Sequence, residues 1–176
     1  ICLSEFAYSS EKKVFDEAFR EYEILLIDNA GHLIQGEGKP DVALVSYEIM
    51  FRARKNSEFH KKYLDLIDGC GFVQGSWAGI DGQVAQSLIK HSNIFSHGGG
   101  IHAIPIATYV FAQILRSVKS IDDHIHLQKE KKWDPMFSTG ELTDMVIGIT
   151  GFGGIGKEVA RLAKAFRMTV YATKRT

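Results

Sequence analysis

Cysteine, proline, net charge and long hydrophobic runs are all scarce in this 176-residue chain. Its two cysteines, Cys2 and Cys70, are too few for a disulfide framework, and neither sits in a CxxC or Cys/His spacing that would hold zinc. A reducing, cytoplasmic setting without a structural metal is expected. Lys and Arg number 21 and Asp and Glu number 21, so no field of one sign steers the chain toward nucleic acid or an anionic membrane. Small ligands are expected instead of polymers. The longest nearly unbroken apolar stretch, residues 101–115, carries His102, Pro105, Thr108 and Gln113 and falls short of the roughly 20 apolar residues of a spanning helix. No charged-then-apolar leader opens the chain, and its first residue is Ile1 instead of Met, so a cut or processed start is expected.

What the chain does have is an α/β rhythm. With 45% apolar and 24% charged residues, it can build one sizeable core, or one domain and part of another. Residues 1–3, 23–27 (EILLI), 41–46 (DVALVS) and 72–74 read as strands. Val14, Phe15, Ala18 and Phe19 mark one helix face, and Phe59, Tyr63 and Ile67 mark another that Ser57 is placed to cap. Ala107, Val110, Phe111, Ile114, Leu115 and Val118 form a wide apolar helix face, with Pro105 in its first turn. Residues 119–140 are charged and irregular, as expected of a connection. The expected division is residues 1–100 as a first domain, 101–140 as a helix and connection, and 141–176 as the start of a second domain.

That second domain carries the most specific chemistry. Residues 145–150 (MVIGIT) read as a buried strand and run straight into GFGGIG, that is Gly151, Phe152, Gly153, Gly154, Ile155 and Gly156. Ile155, Val159, Leu162, Ala163 and Phe166 then recur at helical spacing, and residues 168–172 (MTVYA) read as the next strand. A glycine hexamer alone is a weak signal. Set between a strand and a helix of a β-α-β unit, it is the dinucleotide-binding fingerprint. Gly151 suits the tight turn, Gly153 the approach of a pyrophosphate to the backbone, and Gly156 close helix–strand packing, while the helix N-terminus offers free N–H groups to phosphate.

The second strand of such a unit usually ends in an acidic residue, which hydrogen-bonds the adenosine ribose. Here it ends Thr173-Lys174-Arg175-Thr176. Lys174 and Arg175 can pair with a ribose 2′-phosphate, and Thr173 or Thr176 can hydrogen-bond to it. NADP is therefore favoured over NAD as the cofactor.

Taken in order, these segments resemble the D-isomer-specific 2-hydroxyacid dehydrogenases, a family that includes glyoxylate and hydroxypyruvate reductases. Residues 76–81 (SWAGID) look like the family's S-x-A-G-V-D loop, and residues 99–110 (GGIHAIPIATYV) look like the stretch entering its interdomain helix. Trp133 with Glu141-Leu142 and the unit 146–175 continue the likeness. The resemblance implies a flavodoxin-like substrate domain followed by the truncated start of a Rossmann dinucleotide-binding domain. It implies hydride transfer between NAD(P)H and a small 2-keto or 2-hydroxy acid, a substrate carboxylate held by backbone N–H groups at Ala78 and Gly79, and a homodimer. Asp81 is placed to cap the helix of Val84, Ala85, Leu88 and Ile89.

The family's catalytic arginine, glutamate and histidine belong to segments beyond residue 176, so no catalytic residue is assigned here and this chain is expected to be an inactive fragment. His124 and His126 read as solvated, His97 and His102 flank the glycines at the domain junction, and His32, His60 and His91 sit among surface-like residues. Three departures stand out. Thr108 occupies a usual glutamate position, Thr143-Asp144 replaces a usual glycine, and Arg167 replaces a glycine in a way that demands a left-handed backbone. A nucleotide-sensing, corepressor-like binding protein and a truncated nonfunctional product are the rival readings.

Overall fold

The computed structural model describes residues 1–175, and these form two units, Ile1–Gly99 and Gly100–Thr176. In the first, short apolar runs become strands β1 (Cys2–Ser4), β2 (Leu25–Ile27), β3 (Leu33–Gln35), β4 (Val42–Val45), β5 (Cys70–Gly75) and β6 (Ser92–Ser96). Helices α1 (Glu5–Ser10), α2 (Lys12–Ala18), α3 (Tyr47–Lys55), α4 (Ser57–Ile67) and α5 (Gln83–Lys90) connect or flank them. The sheet order is β3-β2-β1-β4-β5-β6, and every pairing is parallel except β2 with β3. Without the antiparallel β3, the parallel strands lie second-first-third-fourth-fifth, the flavodoxin-like order.

Parallel strands covered on both faces read as continuous apolar runs, and β1 and β2 are buried at every residue. Ile49 of α3, Phe59, Tyr63 and Ile67 of α4 and Leu88 of α5 close the core over Ala43, Val45 and Val73. Two expectations about caps fail. Asn56, not Ser57, caps α4: its side chain accepts the Phe59 N–H at 3.0 Å, and Ser57 is already the first helical residue. Asp81 does not cap α5, because that helix starts one residue late, with Gly82 at the cap position and no side-chain bond there.

The second unit contains α6 (Ala103–Val118), α7 (Ile121–Lys129), β7 (Val146–Thr150), α8 (Gly154–Ala165) and β8 (Thr169–Thr173). Of residues 119–140, expected to be irregular, residues 130–140 carry no helix or strand, while the first part instead forms α7. Asp122 in its first turn holds Arg116 of α6 through nitrogen–oxygen contacts of 2.7 to 3.0 Å. None of its residues is buried, which is why its apolar periodicity is weak. β7 and β8 pair in parallel from Val146↔Thr169 to Thr150↔Thr173. α8 buries Val159 and Ala163 with Ala107 and Phe111 of α6, and the Phe111 and Phe166 rings stack at 5.4 Å. Arg167 does take a left-handed backbone, φ 59°. The Arg167 N–H reaches Lys164 O and the Met168 N–H reaches Ala163 O, each at 3.0 Å, which closes α8 in a Schellman turn.

Candidate functional site

The glycine turn is built by three different demands on its backbone. At the end of β7 the chain must reverse, and Gly151 does so at φ +96° while donating its N–H to Thr173 O at 3.0 Å. Gly156 is forced by proximity: a Cβ there would lie 2.3 Å from Gly151 O and 3.2 Å from an Ile149 methyl. Helix α8 therefore sits on the turn at a distance only glycine allows. Gly153 meets no such obstacle, for a Cβ at that position would have nothing within 4 Å.

That openness lies where α8 begins. Gly153 is the cap residue, no side chain bonds the first helical amides, and the first helical turn closes with the Lys157 N–H to Gly153 O bond at 2.9 Å. Free N–H groups and the positive end of the helix dipole thus face an uncluttered backbone, which suits phosphate oxygens. Phe152, Gly154 and Ile155 complete the loop, and Ile155 is exposed. Arg161 is committed elsewhere: it pairs with Glu158 at 2.7 Å and holds that carboxyl below the usual carboxylate range.

The bond from Gly151 to Thr173 O also brings the end of β8 beside the turn, so Thr173, Lys174 and Arg175 leave the sheet at the same edge as the glycines. All three are exposed. Thr176, the other candidate hydrogen-bonding residue for a 2′-phosphate, lies outside the described residues.

In the first unit, Ala78 and Gly79 occupy an exposed loop after β5. Gly75 lets the Trp77 ring fold back onto the strand end, since a Cβ there would sit 3.2 Å from that ring. Trp77 is buried while the next residues are lifted out. Gly79 has φ +88° and open space around its Cα, so its peptide can be approached by an acid.

Other features of this edge were not expected from the sequence. Sheet order reverses between β1 and β4, where open α/β sheets form a crevice at the carboxyl ends of their strands. Ser4 Oγ there donates to Glu48 and lies 3.4 Å from Ser46 Oγ. Beside it is a hollow of about 530 Å³ lined by Phe6, Tyr47, Phe51 and Arg52, among others. The exposed aromatics at positions 47 and 51, four apart on α3, were the available signal. His60 and His91 are also less surface-like than expected. His60 Nε2 lies 2.8 Å from Ser87 Oγ and His91 Nδ1 lies 2.8 Å from Ser87 O. Among the described residues no three His, Cys, Asp or Glu side chains gather as metal ligands, and no helix is long and apolar enough to cross a membrane.

Strand, glycine turn, uncapped helix and parallel strand define a dinucleotide-binding unit. Residues 111–176 match the family described as D-isomer specific 2-hydroxyacid dehydrogenase, NAD binding domain. The D-3-phosphoglycerate dehydrogenase of Bacillus subtilis (strain 168) is 32% identical over 94 residues, which is 53% of this chain and 18% of that protein. A D-lactate dehydrogenase from Aquifex aeolicus, solved with NAD and lactic acid, superposes with a TM-score of 0.66 at 20% identity over 99% of this chain and 52% of its own. A D-isomer specific 2-hydroxyacid dehydrogenase from Xanthobacter autotrophicus Py2, solved with NADPH and MES, gives 0.62 at 19% identity over 92% of this chain and 49% of its own. Residues 111–176 are thus similar to the NAD binding domain of the D-isomer specific 2-hydroxyacid dehydrogenases, the fold of the whole chain is that of these solved structures, and the chain spans about half of their length and 18% of the curated protein's.

Proposed function

We propose that this chain supplies the substrate-side unit and the opening of the nucleotide unit of an oxidoreductase acting on a small 2-keto or 2-hydroxy acid of the glyoxylate or hydroxypyruvate kind. The observation that carries the reading is the glycine turn, where an open Gly153 backbone meets an uncapped helix. A bound NAD(P)H would supply the hydride. Gly151, Gly153 and the first amides of α8 would hold its phosphates. The backbone at Ala78 and Gly79 would receive the substrate carboxylate, with no side chain at Gly79 to obstruct it. The proton donor for the carbonyl oxygen is not assigned to any residue of this chain, which by itself is expected to be inactive.

NADP is the preferred cofactor in this reading, because the basic pair Lys174-Arg175 follows β8 at the edge of the glycine turn and a phosphate dianion gains charge-assisted bonds from such a pair. Titrating the chain with NADPH and NADH, followed by nicotinamide fluorescence, should give roughly tenfold tighter NADPH binding, reversed by Arg175→Asp. Tighter NADH binding by the unaltered chain would sink the NADP preference, and binding of neither would sink the nucleotide site.

The same proposal includes a homodimer, supported by the exposed Ile121, Ile125, Trp133 and Met136 around α7. Sedimentation that stays monomeric at high concentration would count against it. A reducing, cytoplasmic setting completes it, supported by the free buried thiols of Cys2, pushed up to about 12 by burial, and Cys70.

A further inference from the structure

We infer that His97 is a substrate-binding donor, presenting its Nε2–H to the carboxylate of the acid held at the Ala78-Gly79 loop. This rests on the proposed carboxylate site at that loop and adds to it a side chain that the site's backbone donors lack.

The loops after β5 and β6 are clasped together. The Gly98 N–H donates to Trp77 O at 2.7 Å, so His97 stands one residue from this bond on one side and Ala78 one residue from it on the other. Both loops leave the carboxyl ends of neighbouring parallel strands, the edge at which open α/β sheets bind ligands.

The imidazole is also tied to its own loop. The Gly99 N–H donates to His97 Nδ1 at 3.0 Å. Gly99 is held under the ring, where a Cβ would come within 2.5 Å of Cε1, so no other residue fits without moving the ring. With Nδ1 used as an acceptor, the neutral ring carries its proton on Nε2. That nitrogen has no hydrogen-bond partner among the described residues, and the side chain is exposed. A donor of fixed tautomer therefore stands on the loop clasped to the one that carries the open Gly79 backbone, and each loop offers an N–H group. Such a pair suits the two oxygens of a carboxylate.

The test uses the 176-residue chain, labelled with 15N, and oxamate as a carboxylate probe, with acetate as control. The Gly79 amide and the His97 ring nitrogens are followed by NMR in the unaltered chain, in His97→Phe and in His97→Gln. The expected result is a shift of both groups at one Kd. Affinity should fall roughly tenfold in His97→Phe, as for a hydrogen bond to a charged group, and should largely return in His97→Gln. The glutamine amide can accept from Gly99 and donate to the probe, and a residue that only latched the loop would not make affinity follow the outward donor. If Gly79 shifts while His97 does not, and His97→Phe binds as tightly as the unaltered chain, the inference is overturned and the carboxylate site stands. If the Gly79 amide does not move at all, the carboxylate site itself fails and His97 falls with it.

Discussion

In the first unit, every described residue with a left-handed backbone is a glycine: Gly31, Gly36, Gly38, Gly69 and Gly79. In the second, only Gly100 and Gly151 are, while Ser120, Lys131, Asp144 and Arg167 adopt the same conformation with side chains attached. Three of these four close helices. Arg167 ends α8, Ser120 ends α6, and Lys131 ends α7 with the Lys132 N–H on Leu127 O at 3.0 Å. Asp144 donates its N–H to Arg167 O at 3.3 Å, so two of the substitutions meet. Each costs about 1 kcal/mol against glycine. Burial separates the units in the same direction, because β1 and β2 are covered at every residue whereas β7 alternates exposed and half-buried positions. The second unit keeps glycine at the turn proposed to hold the nucleotide phosphates and does without it where only a helix end needs it. It should be the first to open.

The sharpest way to break that comparison is Gly156→Ala. A methyl group 2.3 Å from Gly151 O must push α8 off the turn, an overpacking that costs about 3 kcal/mol or more. Hydrogen exchange read by peptide should show lost protection across α8, β7 and β8 while α4 and β5 keep theirs, and nucleotide binding should vanish. Equal loss in both units would mean that they unfold as one. A mirrored pair comes next. Arg167→Gly should stabilise the second unit by about 1 kcal/mol, and Gly69→Ala, at φ +80° with nothing within 4 Å of its new methyl, should destabilise the first by about as much. A neutral Arg167→Gly would show that the Schellman turn absorbs the strain.

The parts of this architecture that were legible are those where one local cause decides. The glycine unit announces itself because strand, turn and helix lie in unbroken succession, and Arg167 was legible because a helix end that needs φ > 0 shows when glycine is missing. Strand β3 was not legible: three residues between Gly31 and Gly36 are too short for a period, and only pairing with β2 makes them a strand. Helix α7 reads as a linker in the sequence because its charges outweigh an apolar stripe that buries nothing. Asn56 lost to Ser57 because both residue types cap helices, and only the Phe59 amide decides between them. The clasp from Gly98 to Trp77 spans twenty-odd residues and leaves no local pattern, although the run His97-Gly98-Gly99 hinted that something sits close to its backbone.

The well-packed unit also holds a flaw that tests how much its packing tolerates. Tyr63 is buried beside Phe59, yet its hydroxyl has no hydrogen-bond partner among the described residues. A buried hydroxyl without a partner costs about 1 kcal/mol or more. Tyr63→Phe should leave the first unit at least as stable, with a gain of up to about 1 kcal/mol in chemical denaturation. A loss of that size would reveal a partner, such as a buried water.

The smallest expected effect is a pH dependence confined to the first unit. His60 bridges α4 to α5 through Ser87, whose hydroxyl donates to Val84 O at 2.8 Å, so the ring must donate from Nε2. Burial, then the nearby His91, push His60 below the ordinary histidine range. A histidine depressed in this way favours the fold when neutral. Its contribution is complete above the unfolded value of about 6.5 and is lost as pH falls through the lower folded value. Solvent screening at this half-exposed ring keeps the effect below about 1 kcal/mol. Between pH 7 and pH 5 the protection of α4 and α5 should therefore decline more in the unaltered chain than in His60→Gln, whose amide keeps a donor but no titration. If the two decline together, the pH sensitivity belongs to another group, and the first unit's advantage over the second does not depend on this histidine.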